Sequence, residues 1–89
     1  MQVGVGKWYG VGLTNEQRAA AERTIPDPIG GHGSAYYYEK ILDLAPRACE
    51  LNDEADRIFL IALKEKLVLE NEVTRDDLLR LDRIAEYLE

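Results

Sequence analysis

Glycine and proline are unevenly distributed along this 89-residue chain. All seven glycines and two of the three prolines precede residue 34, and Pro46 is the only glycine or proline after residue 34. In a helix interior, glycine costs about 1 kcal/mol and proline about 3 kcal/mol relative to alanine. Residues 34–89 can therefore form nearly continuous helix, whereas residues 1–33 must be interrupted.

The first third of the chain is predicted to be an arm followed by a short helix. In MQVGVGKWYGVG, glycine alternates with other residues, which favours an extended arm or an edge strand over residues 1–13. Thr14 and Gln17 have the spacing of a capping box, which predicts a helix over residues 14–24. The apolar side of this helix is mostly alanine, so it can pack closely but buries little area.

The glycine-free part predicts three more helices, over residues 34–45, 53–70 and 74–88. Ser34 is the expected N-cap of the first of them, because its hydroxyl can accept from a free backbone amide. Pro46 stops or kinks that helix, unless it occupies the first position of a new turn. Together these expectations give a single mainly α domain over residues 1–89, helical from residue 14 onward.

The last two predicted helices are joined by a short connection and should form an antiparallel hairpin. Thr74 and Asp77 repeat the capping-box spacing at the start of the final helix. That helix has a clean apolar stripe, formed by Leu78, Leu81, Ile84, Ala85 and Leu88.

The third helix has apolar residues on more than one side. Its segment RIFLIALKEKLVL contains more apolar residues than two neighbouring helices can cover. An uncovered apolar patch larger than about 400 Å² usually marks an interface. We therefore expect a homo-oligomer, most simply a symmetric dimer, with a distinct partner protein as the second possibility and folding back of the N-terminal arm as the alternative cover.

Charge and composition exclude several classes of protein. The chain has 11 basic and 17 acidic residues, a formal net charge of −6, which disfavours broad contact with nucleic acid. The longest apolar run, residues 58–63, is far shorter than the ~20 residues needed to span a bilayer. With no signal peptide and a single cysteine, the chain is expected to be cytoplasmic, without disulfides or membrane contact.

No motif in the sequence indicates an enzyme, a cofactor or a metal site. Gly6-Lys7 is followed by Trp8 instead of the serine or threonine that a phosphate-binding loop requires. Cys49 could pair with His32 as a nucleophile, but a cysteine on a helix is more often a small buried hydrophobe. We therefore predict no catalytic residue, no cofactor and no metal ligand.

The segment GGHGSAYYYEK is the most distinctive stretch. Residues 30–33 are expected to form a mobile loop that leads into the second helix. Consecutive helix residues point about 100° apart, so the three tyrosines cannot all face the core. We expect Tyr38 to face the core with Ile41 and Leu42, Tyr37 to be half-buried, and Tyr36 to be exposed.

Four aromatic residues are candidates for binding a partner: Trp8, Tyr9, Tyr36 and Tyr37. Tryptophan and tyrosine are common interface anchors, because they bury large areas at little entropic cost. Trp8 could equally pin the arm onto the core. The three tyrosines could likewise seal the end of the core.

Two functions remain compatible with the sequence. The first is a small acidic, non-catalytic interaction protein that binds a protein partner, of the inhibitor or adaptor type that phages and mobile elements often encode. The alternative is a module that binds a small molecule or nucleotide through Gly30–Gly33 and Tyr36–Tyr38. The first is preferred, because no convergent polar constellation or cofactor motif accompanies the apolar surplus of the third helix.

Overall fold

The structure is a computed structural model that describes residues 9–88. The predicted extended arm therefore lies largely outside the described residues. The described part contains four α-helices, one 3₁₀ helix and no strand. The α-helices are α1 (Asn15–Thr24), α2 (Ser34–Leu44), α3 (Glu54–Val68) and α4 (Arg75–Leu88), and the 3₁₀ helix is Ala45–Glu50.

The first helix begins as its sequence predicts. The Thr14 hydroxyl accepts from the Gln17 amide, and the Gln17 side chain accepts from the Thr14 amide, so the capping box is confirmed. Ala20 and Ala21 are buried where α1 packs against α2. At its end, the carbonyl of the buried Thr24 accepts from the Val73 amide at 2.7 Å. This bond ties α1 to the connection between α3 and α4.

The start of α2 differs from the prediction. Gly33 is the N-cap, with no side-chain capping bond, and Ser34 is the first helical residue. The Ser34 hydroxyl instead donates to the Ile25 carbonyl, which joins the start of α2 to the end of α1. Pro46 lies in the first turn of the 3₁₀ helix, where its missing amide is tolerated, so the chain continues in a new helix after α2.

Two ion pairs join α3 and α4, and their order along α4 is the reverse of their order along α3. Lys66, near the end of α3, bonds Asp77 near the start of α4 at 2.7 Å. Asp56, near the start of α3, bonds Arg80 one turn further along α4 at 3.0 Å. Thr74 and Asp77 form the predicted capping box.

The core lies where α2, α3 and α4 meet. The predicted α4 stripe is confirmed, since all five of its residues are buried. The largest fully buried side chains of α2 and α3 are Tyr37, Ile41, Leu44, Leu60 and Leu63. Between residues 9 and 88, no helix is long and apolar enough to cross a membrane.

The segment just before α1 packs against α2. The Gly10 amide donates to the Glu39 carboxylate, and Tyr9 is only 7% exposed. Gly10 has a φ of +93°, and a Cβ there would lie 3.0 Å from the Tyr36 amide nitrogen. Only glycine therefore fits this position without strain.

Candidate functional site

Tyr37 belongs to a polar cluster in which Asp82 of α4 accepts from both Tyr37 and Lys40 of α2. The Tyr37 ring is buried between the helices, with 1% of the residue exposed. Its hydroxyl lies 3.0 Å from Asp82 Oδ2 and 3.3 Å from the Ile29 carbonyl oxygen. Burial, followed by the hydrogen bond to Asp82, raises the pKa of the Tyr37 hydroxyl above its ordinary value. Tyr37 is therefore a neutral structural donor.

Lys40 is the second member of this Tyr37–Lys40–Asp82 cluster. Its Nζ lies 3.0 Å from Asp82 Oδ1, and only 7% of its side chain is exposed. Burial lowers the pKa of Lys40, but the hydrogen bond to Asp82 and the negative charge of Asp82 outweigh it, so the pKa is raised. The amine is therefore held protonated, which is the wrong state for a nucleophile.

The side chain of Tyr36 is half-buried and makes ring contacts on several sides. The His32 ring stacks on it with centroids 3.7 Å apart and planes 7° from parallel. The Tyr9 ring meets it edge-on at 5.4 Å, and Lys40 Nζ lies 5.3 Å from its centroid. These contacts hold Tyr36 in place and leave His32 on the surface.

Three of the four predicted partner-binding residues lie together, since the Tyr36 ring contacts the rings of Tyr9 and Tyr37 at 5.4 and 5.1 Å. Trp8 lies outside the described residues. Tyr9 is buried, and its hydroxyl donates to Asp43 at 2.9 Å. Tyr37 is buried instead of half-buried, while Tyr36, expected to be exposed, is half-buried.

The helical face chosen for the core of α2 was therefore wrong by one residue. Tyr38, the expected core residue, is only partly buried, and Tyr37 takes its place beside Ile41 and Leu44. The spacing of Tyr37, Ile41 and Leu44 is also helical, but Lys40 lies in the middle of that stripe and argues against it. That face can be buried because Asp82 of α4 lies beside Lys40 and supplies the opposite charge.

The clearest exposed apolar surface is the outer face of α3, which we define as Ile58, Ile61, Ala62, Glu65 and Val68 of the helix together with its C-cap residue Leu69. Its four large apolar residues are strongly exposed, at 60% for Ile58, 54% for Ile61, 70% for Val68 and 66% for Leu69. At about 100° per residue, they fall within an arc of roughly 100°. The buried residues of α3, Leu60, Leu63 and Leu67, lie on the opposite side.

A polar groove lies between the start of α3 and the end of α4. It encloses about 430 Å³ and is lined by Asp53, Asp56, Arg80, Arg83, Ile84 and Tyr87. Asp56 and Arg80 bond each other across it, and Arg80 also stacks on Phe59 at 4.4 Å. Two carboxylates and two guanidinium groups line the groove, so it favours neither an anionic nor a cationic ligand.

Two observations on the described residues concern metal and thiol chemistry. Within residues 9–88, no three histidine, cysteine, aspartate or glutamate side chains are grouped to hold a metal ion. Cys49 lies in the 3₁₀ helix and is exposed, contrary to the prediction of a buried residue.

Comparisons with known proteins do not place the chain in a family. No protein-family model matches it, and neither the curated proteins nor the solved structures contain a match. Two features of its own structure therefore carry the functional argument. They are the Tyr37–Lys40–Asp82 cluster, which is bonded within the chain, and the exposed outer face of α3.

Proposed function

We propose that this protein is a non-catalytic interaction module that binds a macromolecular partner through the outer face of α3. The observation that carries the proposal is the exposure of four large aliphatic side chains on one side of a single helix. Exposed apolar residues scattered singly are normal, but a contiguous strip of them usually marks an interface.

The shape of this strip favours a helical partner. Ile58 and Leu69 are eleven residues apart, a distance of about 16 Å along a helix axis. Anchors that recur along one helix face match the way in which amphipathic helices recognise each other. The strip is convex, so a flat or grooved protein surface suits it better than a small molecule does.

The buried polar groups support a binding role over a catalytic one. Lys40 and the Tyr37 hydroxyl each donate to one carboxylate oxygen of Asp82. A catalytic acid or base must reach its substrate, and these groups are engaged in joining α2 to α4. Their geometry favours a structural role.

The alternative, a ligand site formed by Gly30–Gly33 and Tyr36–Tyr38, has weaker support. An accessible aromatic surface there is the His32–Tyr36 pair, and its facing rings already contact each other at 3.7 Å. A planar ligand would have to displace His32 in order to stack on Tyr36. We therefore prefer the protein-binding proposal.

Site-specific photo-crosslinking in the native host tests the proposal. A photoreactive amino acid in place of Ile61 should give a discrete adduct, and the same residue in place of the exposed Ala19 of α1 should not. The Ile61 adduct should disappear when Ile58→Asp is added, because a charge on the same face opposes apolar contact. Identical adducts from both positions, or none from either, would contradict the proposal.

A further inference from the structure

We infer that the occupant of the outer face of α3 is a second copy of this chain, packed antiparallel about a two-fold axis between Ile61 and Ala62. This inference rests on the proposed function, because both use the same face. It goes further by naming the partner and the register. Two-fold dimers are the commonest way in which identical chains cover such a face.

The residues beside the axis fit this register. A two-fold axis perpendicular to the helices keeps each residue on its own side of the contact, so Ile61 packs against Ile61 of the second copy and Ala62 packs against Ala62. Ala62 is small and exposed, which lets the two helices approach closely on its side.

The charges on α3 fit the same register. Glu65 is the one charged residue in the middle of the apolar strip, and within the described residues it has no ion-pair partner. The antiparallel arrangement places it level with Ile58 of the second copy and within reach of the neighbouring Arg57. Because of the two-fold symmetry, the pair between Glu65 of one copy and Arg57 of the other forms twice.

The overall acidity of the chain does not oppose such a contact. The net charge is −6, but the three acidic residues within α3 are balanced by three basic ones. Two α3 helices therefore meet without net repulsion. A contact of one helix pair is small beside the roughly 1,200–2,000 Å² of a stable interface, so we expect a weak, reversible dimer.

Sedimentation of charge variants tests the register. Glu65→Lys and Arg57→Glu each place like charges opposite one another, and each should weaken self-association about tenfold or more. An equimolar mixture of the two variants restores opposite charges at both pairs and should dimerise like the wild-type protein. Glu72→Lys makes the same charge change in an exposed loop and should leave association unchanged.

The outcomes separate this inference from the proposed function. A mass of 10.1 kDa over an approximately hundredfold concentration range overturns the dimer. The proposed function then survives if crosslinking at position 61 captures a different protein, and it fails if no adduct forms. A wild-type dimer that both single variants retain overturns the register.

Disulfide trapping gives a second measurement, needed because Arg57 also donates to the Leu51 carbonyl at 2.7 Å and its variant could misfold. In a Cys49→Ser background, Ala62→Cys places two thiols beside the axis. Oxidation should convert most of this variant to a linked dimer. Ala19→Cys in the same background is the control, and equal linking of the two variants overturns the inference.

Discussion

The Tyr37–Lys40–Asp82 cluster and the outer face of α3 reverse the usual distribution of polarity. In the cluster, Lys40 is buried and only 6% exposed. On the outer face of α3, Ile58 is 60% exposed and Val68 is 70% exposed. Buried polar groups are tolerated only when they are bonded, and those of the cluster are bonded within the chain. Between residues 9 and 88, the exposed strip has no such internal partners. One region completes the fold, and the other is the surface that we propose for a partner.

Removing Asp82 should have the largest effect, because it leaves Lys40 buried without its counter-charge. We expect Asp82→Ala to lower the free energy of unfolding by about 2 kcal/mol, because Lys40 is buried but the Asp82 side chain is 38% exposed. Glu86→Ala removes an exposed carboxylate from the same helix and should cost less than about 0.5 kcal/mol. Urea denaturation followed by circular dichroism measures both. Equal costs would mean that the cluster does not hold α4 in place.

Alkaline pH should loosen the cluster. The pKa of Lys40 is raised, so its stabilisation is complete below the unfolded value of about 10.4 and is lost as pH rises through the folded value. The pKa of Tyr37 is also raised, so the unfolded hydroxyl ionises first, above about pH 10. Each group therefore makes the unfolding free energy fall as pH rises through this range.

The variant Lys40→Met isolates the lysine contribution to that pH dependence. The unfolding free energy of this variant should fall less steeply above about pH 10 than that of the wild type. Lys64→Met, on an exposed part of α3, should keep the wild-type slope. The cluster would not control the alkaline transition if these two variants had the same slope.

Removing only the Tyr37 hydroxyl should have a smaller effect. Tyr37→Phe keeps the buried ring and loses the bonds to Asp82 and the Ile29 carbonyl, which should cost about 1 kcal/mol. Tyr87→Phe makes the same change at a residue that is 80% exposed, and it should be neutral. The difference in urea midpoint between the two variants measures the contribution of the buried hydroxyl. No difference would mean that water replaces it.

The smallest effect is expected on the outer face of α3. In dilute solution, Ile61→Ala should change the unfolding free energy by less than about 0.5 kcal/mol, since the side chain contacts little within the chain. Leu60→Ala, one residue away on the buried side, should cost about 2–5 kcal/mol. Similar losses from the two variants would show that Ile61 belongs to the core and would remove the basis of the proposed interface.

The sequence predicted the elements well, because their signals are local. The capping boxes at Thr14 and Thr74 need only a hydroxyl and a carboxylate or amide three residues apart. The α4 stripe needs only helical spacing. The Ser34 cap failed because its hydroxyl bonds the Ile25 carbonyl, nine residues away, and no local pattern reveals that partner.

By itself, the sequence determined the helical content, the breaks near the prolines and the apolar surplus of α3, because composition and spacing act through neighbouring residues. Tertiary structure decided which face of α2 is buried. The stripe of Tyr37, Ile41 and Leu44 includes Lys40, and burying a lysine is unfavourable until an opposite charge accompanies it. Asp82 lies 42 residues further along the chain, and only the packing of α4 against α2 brings it within 3.0 Å.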